Sequence, residues 1–333
     1  MIIWQKLKKE WFLFGMLIAI GLAILIPHWG SSVGPLHLNI VTQYGIALVF
    51  LLHGIALSPK DIRQGMSNWG LHIYTQAATF VLYPLIWLLF GHYFQTLMPQ
   101  PLAYGFCYLL VLPSTISSSV AMTAIAKGNI PGAIFNASLS SVLGIFLTPL
   151  YVKLFIGLSN GHMDIEQTVL HIAYMLLLPM VLGQLLRPLI GEWMRRYKSI
   201  TGKLDKFVIL LIIFNAFSDS VIRGIWHDFE LSTLLLAIVL CCIILTVVML
   251  ILFFVAKWIK FNDEDFAAGL FCGTKKTLAA GVPMAKVIFG ASPILGMLLL
   301  PIMLYHPIQI FVCAIIANRL STKAAQNSNI ANG

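Results

Sequence analysis

The sequence predicts an all-α polytopic membrane protein with ten transmembrane helices. Three observations predict it. First, 59% of the 333 residues are apolar and only 10% are charged, against about 25% charged in an ordinary soluble domain. Second, residues 11–59, 64–126, 128–152, 231–256 and 287–318 contain no Asp, Glu, Lys or Arg, and about 20 apolar residues cross a bilayer. Third, threading those runs alternately puts nearly all Lys and Arg on one side, as cytoplasmic loops require. This composition excludes a water-soluble enzyme, a disordered chain and a nucleic-acid-binding domain. The net charge of +9 belongs to loops at a membrane surface. The five cysteines (Cys107, Cys241, Cys242, Cys272, Cys313) lie inside apolar runs and fit no zinc or disulfide spacing.

Turn residues and charges bound the segments. The first covers about 11–27. Its basic lead (Lys6, Lys8, Lys9) resembles a signal peptide, but no small-x-small cleavage site follows Ile26-Pro27, so it is read as a retained helix. The turn residues Pro27-His28-Trp29-Gly30, Ser31, Ser32 and Gly34 lead into the second, 40–57. Met98-Pro99-Gln100-Pro101 divides the third, 69–90, from the fourth, 101–125. The fifth covers 130–152. The sixth, 167–190, and seventh, 205–224, flank a basic strip at about 187–206. The eighth, 231–256, is continuously apolar. The ninth, 265–289, and tenth, 293–318, complete the count.

With the N-terminus inside, sixteen of the 21 Lys and Arg fall in cytoplasmic segments and two, Lys153 and Arg223, outside. Lys275, Lys276 and Lys286 fall within the ninth segment. Both termini are therefore expected in the cytoplasm, the membrane being a bacterial inner membrane. Ten helices divide into five and five. Ala103-Tyr104-Gly105-Phe106 opens the fourth segment as Ala267-Ala268-Gly269-Leu270 opens the ninth, and 144–150 in the fifth resembles 296–302 in the tenth. An odd number per half makes the halves inverted across the membrane, a frequent transporter plan. The expected organisation is one transporter domain, with a first repeat at 1–160, a second at 161–320 and a cytoplasmic tail at 321–333.

Polar residues within lipid are costly without partners, so they mark function. In the fourth segment Pro113 is followed by Ser114, Thr115, Ser117, Ser118 and Ser119, five hydroxyls in six residues. A proline removes a backbone donor and frees carbonyls, which predicts a broken helix lining a polar cavity; serines bonding back to their own carbonyls are the plainer reading. The fifth segment adds Asn136 and Ser140 on one helical face, with Ser138 and Ser141. Gln76 is an amide in an apolar run. The ninth segment reads Gly273-Thr274-Lys275-Lys276-Thr277 and then Gly281-Val282-Pro283, an interrupted helix with two lysines at its centre. One is expected to face a core cavity while the other reaches out. In the tenth, His306 and Gln309 form a core pair. Asp219, four residues after Asn215, is the one carboxylate expected within a span, near the outer end of the seventh.

The order of these features resembles the bile acid/sodium symporter family, and more closely its SBF-like branch of the vertebrate member-7 type. The residues that carry the resemblance are Ser117-Ser118-Ser119, Gly128-Asn129, Phe135-Asn136-Ala137, Leu143-Gly144-Ile145, Leu147-Thr148-Pro149, Cys272, Lys276, Gly281-Val282-Pro283, Tyr305-His306-Pro307 and Gln309. The resemblance covers essentially the whole chain. It implies two inverted five-helix repeats, a panel domain of helices 1, 2, 6 and 7, and a core domain of helices 3–5 and 8–10. Broken helices 4 and 9 cross in the core. It also implies sodium at that crossing, with Gln76 and Ser117–Ser119 at matching positions. The carboxylate of the better-understood branch, however, falls at about Thr274 here and its following glutamine at about Leu278. No Asp or Glu is expected in the core helices, and Lys275 or Lys276 stands where cation ligands would be.

The expected function is secondary active transport of a small anionic organic solute by alternating access. The candidate substrate- and ion-binding residues are Gln76, Ser114, Thr115, Ser117, Ser118, Ser119, Asn136, Ser138, Ser140, Thr274, Lys275, Lys276, Thr277, His306 and Gln309. No cofactor is expected beyond a coupling ion, Na⁺ or H⁺; a buried lysine is itself a candidate proton carrier. The partners are the lipid bilayer and the solute. A channel would need a continuous polar stripe rather than clusters at one depth. An enzyme would need an acid–base or nucleophile constellation, and the nine histidines are dispersed. A non-transporting regulator of ion homeostasis is the remaining alternative.

Overall fold

The computed structural model describes residues 11–56, 65–157, 165–227 and 229–331, and among these every regular element is a helix. The basic start, the loop carrying Lys60 and Arg63, and the loop around Asn160 lie outside the described residues. The elements are α1 (Trp11–Leu25), a single turn α2 (Pro27–Gly30), α3 (Leu38–Ala56), α4 (Trp69–Leu97), α5 (Gln100–Val111), α6 (Ile116–Ile125) and α7 (Ile130–Ile156). They continue as α8 (Ile165–Arg196), α9 (Lys198–Ile222), α10 (Leu231–Trp258), α11 (Asp263–Thr274), α12 (Leu278–Phe289) and α13 (Leu295–Ala331).

Six stretches are long and apolar enough to cross a bilayer: α3, α4, α7, α10, residues Tyr174–Met194 of α8 and Leu295–Thr322 of α13. The pair α5–α6, bent by 57° at its break, makes a seventh. The other three predicted segments are also helical. However, α1 has only 15 residues, α9 carries Lys203, Asp205, Lys206 and Asp219, and the ninth segment is split into α11 and α12.

The chain folds as two compact units. The first comprises residues 1–57, 164–230 and 281–300. Its closest helix pair is α3 with α8, which touch at Gly54 and Gly183. A Cβ on Gly54 would lie 2.0 Å from the Met180 carbonyl oxygen, and one on Gly183 would lie 2.2 Å from that of Leu51. Glycine therefore lets the two backbones touch, the usual device of helices packing in lipid. The last carbonyls of a helix lack intrahelical donors; here Gln184 Nε2 donates to Gly54 O at 2.6 Å and Arg187 Nη1 to Ile55 O at 3.0 Å.

The second unit comprises residues 58–163, 231–280 and 301–333. Its apolar centre is Leu71, Ala133, Ala137, Ala268 and Cys272, where α4, α7 and α11 meet through small side chains. One turn of α4, Ala78–Leu82, is a π-helix. Just beyond it, Pro84 interrupts the hydrogen-bond ladder. The Tyr83 N–H reaches back five residues to Ala78 O; in that register Pro84 would serve Thr79 O, and proline has no N–H. The Thr79 carbonyl is left open for another donor.

Candidate functional site

Two helices of the second unit are interrupted. Residues 112–115 separate α5 from α6, and residues 275–277 separate α11 from α12. Pro113 ends the first by removing a donor and clashing with the preceding turn. Gly144 of α7 lets the break pass close by, since a Cβ there would sit 2.5 Å from the Pro113 ring.

A break in a membrane-buried helix leaves carbonyls that must find donors, and four successive ones at the first break do. Leu110 O accepts from Lys276 Nζ at 3.1 Å, and Val111 O from Thr148 Oγ1 at 2.8 Å. Leu112 O accepts from Lys276 Nζ at 2.6 Å, and Pro113 O from the Thr277 N–H at 3.0 Å. The second break is served in return. Ser119 Oγ donates to Phe271 O at 3.2 Å and Ser114 Oγ to Cys272 O at 2.6 Å. Tyr83 and Tyr305 hydroxyls both donate to Thr274 O, at 2.6 and 3.1 Å. Gln309 braces Lys276 like a neighbouring backbone: its Oε1 accepts the Lys276 N–H and its Nε2 donates to Lys276 O, both at 2.9 Å.

The Lys276 ammonium sits at the centre of this exchange. Its third acceptor is Thr79 O at 3.1 Å, the carbonyl that Pro84 leaves open, and it lies 4.0 Å from the centre of the Tyr83 ring. An ammonium has three donors, and all three are used on backbone oxygens from α4 and from the end of α5. The aromatic face adds cation–π attraction. Lys275 goes elsewhere, donating to Ser118 O at 2.9 Å. Both lysines are 0% exposed, which corrects the expectation that one would reach out of the core.

The other predicted residues divide. Thr274, through its carbonyl, and Thr277, which also accepts from the Ala280 N–H, belong to the breaks. Ser140 Oγ accepts from the Ser114 N–H at 2.9 Å. His306 Nδ1 lies 3.1 Å from Gln309 Nε2. Gln76 and Asn136 form a second group: Gln76 Nε2 donates to the Asn136 carbonyl and to its Oδ1, at 3.0 and 3.2 Å, and Asn136 Nδ2 lies 3.0 Å from His72 Nδ1. Gln76 Oε1, Ser118 Oγ and Ser138 Oγ are buried without a protein partner. Thr115 is buried at the start of α6, whereas Ser117 is exposed and takes no part in the exchange.

Sequence reasoning missed Tyr83 and the open carbonyl of Thr79; the Pro84 that creates it was visible but unremarkable in an apolar run. It also missed Asp265. The expectation that the core helices hold no carboxylate is corrected: Asp265 is 9% exposed in the first turn of α11. Its oxygens accept from Asn68, Asn129 and Asn262 at 2.8, 2.7 and 3.0 Å. Each of those asparagines also caps the start of a helix, α4, α7 and α11 respectively. A sequence signal existed, in that three Asn stand directly before helical runs.

Interrupted helices with polar clusters at the breaks are a recurring arrangement in membrane transport proteins. A sequence profile of the SBF-like CPA transporter family matches residues 10–322, and the chain belongs to that family. A protein named "Putative symporter YfeH" from Escherichia coli (strain K12) is 40% identical over 316 residues, 95% of this chain and 94% of its own length. The sodium/bile acid cotransporter 7 of Rattus norvegicus is 30% identical over 315 residues, 94% of this chain and 92% of its own. The uncharacterized protein PA2026 of Pseudomonas aeruginosa is 40% identical over 312 residues. Family and relatives alike are transporters by name where they carry a functional name, and the chain is a transporter, not an enzyme.

Proposed function

We propose that this protein is a secondary active transporter of a small anionic organic solute, working by alternating access without a sodium ion at its helix crossing. The observation that carries the reading is the Lys276 ammonium, which fills a nest of three backbone carbonyls where a coupling cation would otherwise sit. A second cation beside it would be repelled strongly in a low-dielectric interior. On this reading the residues at the crossing do not fit sodium, and Lys276 is a tethered substitute for it. Lys275, with one carbonyl acceptor, is the positive group left to attract the solute.

The proposed architecture is ten helices in two inverted repeats of five, at 1–160 and 161–320, with both termini in the cytoplasm of a bacterial inner membrane. Support comes from the composition of the two units. The first gathers the first, second, sixth and seventh segments, as a panel would, and the second gathers the third, fourth, fifth and eighth; the ninth and tenth, expected in the core, are divided, with residues 281–300 in the first unit. The breaks in the fourth and ninth segments supply the crossing. The test is solute counterflow and uptake in proteoliposomes with Na⁺ replaced by choline. Saturable exchange at unchanged rate is expected. Strict Na⁺ dependence, together with wild-type rates in Lys276→Met, would overturn the reading.

A further inference from the structure

In the first unit, the apolar runs of α1 and α9 start at one level. Trp11 opens the charge-free run 11–59, and Lys206 is the last charge of α9 before residues 207–218, which carry none. The two starts touch: Lys206 Nζ lies 5.6 Å from the centre of the Trp11 ring and 5.6 Å from that of Phe12. A contact between the first residue of one apolar run and the last charge before another falls where hydrocarbon gives way to headgroups, the level at which tryptophan concentrates.

Lys206 is half-buried there. The two rings hold its ammonium by cation–π attraction, yet among the described residues no carbonyl or carboxylate accepts from it, so its three N–H donors are unspent. The adjacent carboxylate is engaged elsewhere: Asp205 Oδ2 lies 3.7 Å from His53 Nε2. Lys203 stands three residues before Lys206, on the same helical face, and is exposed. Gly202, four residues before Lys206, presents no side chain, and even a Cβ there would meet nothing within 4 Å. The face is therefore an open notch of bare backbone beside two lysines. On its apolar side the helix continues with Phe207, 54% exposed.

Two ammonium groups with unspent donors call for an anion, and phosphate oxygens are strong acceptors for them. The anion is a lipid's rather than a free ion's, because aromatic rings fix Lys206 at the hydrocarbon boundary and an exposed apolar side chain runs on from it. We infer that Lys203, Lys206 and Trp11 form a binding site for the phosphodiester headgroup of an anionic phospholipid, with Phe207 along its acyl chain. A lipid seated there ties the start of α1 to α9. The site is independent of the solute and of the coupling ion.

The test is thermal unfolding of the full-length protein in detergent with rising dioleoylphosphatidylglycerol, each variant being compared with its own lipid-free value. The unfolding temperature of wild type is expected to rise saturably, and neither dioleoylphosphatidylcholine nor inorganic phosphate should reproduce the rise. The half-saturating lipid concentration should increase about fivefold in Lys203→Met and about 25-fold in Lys203→Met/Lys206→Met, the usual worth of one and two lysines near a membrane surface. Lys203 has no protein contact to lose among the described residues, so the single variant decides alone if the double one does not fold. Lys257→Met removes an exposed lysine at the end of α10 and should leave half-saturation unchanged. An equal rise with phosphatidylcholine or phosphate, wild-type half-saturation in Lys203→Met, or an equal weakening in Lys257→Met would overturn the site.

Discussion

The two units contain two close helix contacts built on opposite principles. In the first unit, α3 and α8 are unbroken where they touch, and space is what limits approach; Gly54 and Gly183 provide it, while Gln184 and Arg187 serve only the end carbonyls of α3. In the second unit, α5–α6 and α11–α12 are interrupted, and donors are what is scarce. Side-chain hydroxyls, an amide and the Lys276 ammonium supply them. The contrast shows what a charged residue does in the middle of an apolar protein. Lys276 makes no ion pair among the described residues; it compensates one carbonyl that Pro84 leaves open and two that the end of α5 leaves open. A neutral hydroxyl serves one such oxygen, whereas an ammonium serves three from one position.

That contrast is probed most severely by removing the shared donor. Lys276→Met leaves three buried carbonyls open, at about 1 kcal/mol or more each, so we expect a loss of about 3 kcal/mol or more in thermal unfolding of purified protein, with transport abolished. At the other contact, Gly54→Ala forces a methyl group into the Met180 backbone and is expected to cost about 2 kcal/mol by overpacking. Thr148→Val opens only the Val111 carbonyl while keeping the side chain's shape, and a loss of about 1 kcal/mol is expected. Ser117→Ala marks the lower end. Its side chain is exposed and outside the exchange, so unfolding should move by less than about 0.5 kcal/mol; a larger shift would place Ser117 in a contact that the geometry lacks.

Much of this was legible in the sequence. Seven of the ten helical segments follow from charge-free runs bounded by Pro, Gly and basic residues, since the absence of water at mid-membrane leaves only helices; the sixth, seventh and ninth carry charges and follow from apolar stretches between them. Both breaks were legible too, from Pro113 with its hydroxyls and from Gly273, Lys275 and Lys276. The partners were not. Nothing local distinguishes Tyr83 and Tyr305, whose hydroxyls meet at 2.7 Å, from ordinary apolar-core tyrosines. The π-turn of α4 arises from a proline that equally permits a simple kink. Asp265 was passed over because a carboxylate at the end of a span usually faces water, whereas here three asparagine amides surround it. Which of two adjacent lysines turns inward depends on the exact residue where the helix stops, and both proved buried.

Lys276 standing in the place of a coupling cation is tested most sharply by thermal unfolding of wild type and Lys276→Ala in rising NaCl, with choline chloride holding ionic strength constant. Sodium is expected to leave wild type unchanged and to raise the unfolding temperature of Lys276→Ala saturably, as the ion occupies the three vacated carbonyls. Saturable stabilisation of wild type by sodium, unchanged in Lys276→Ala, would show that the ion binds elsewhere and that the lysine is no substitute for it.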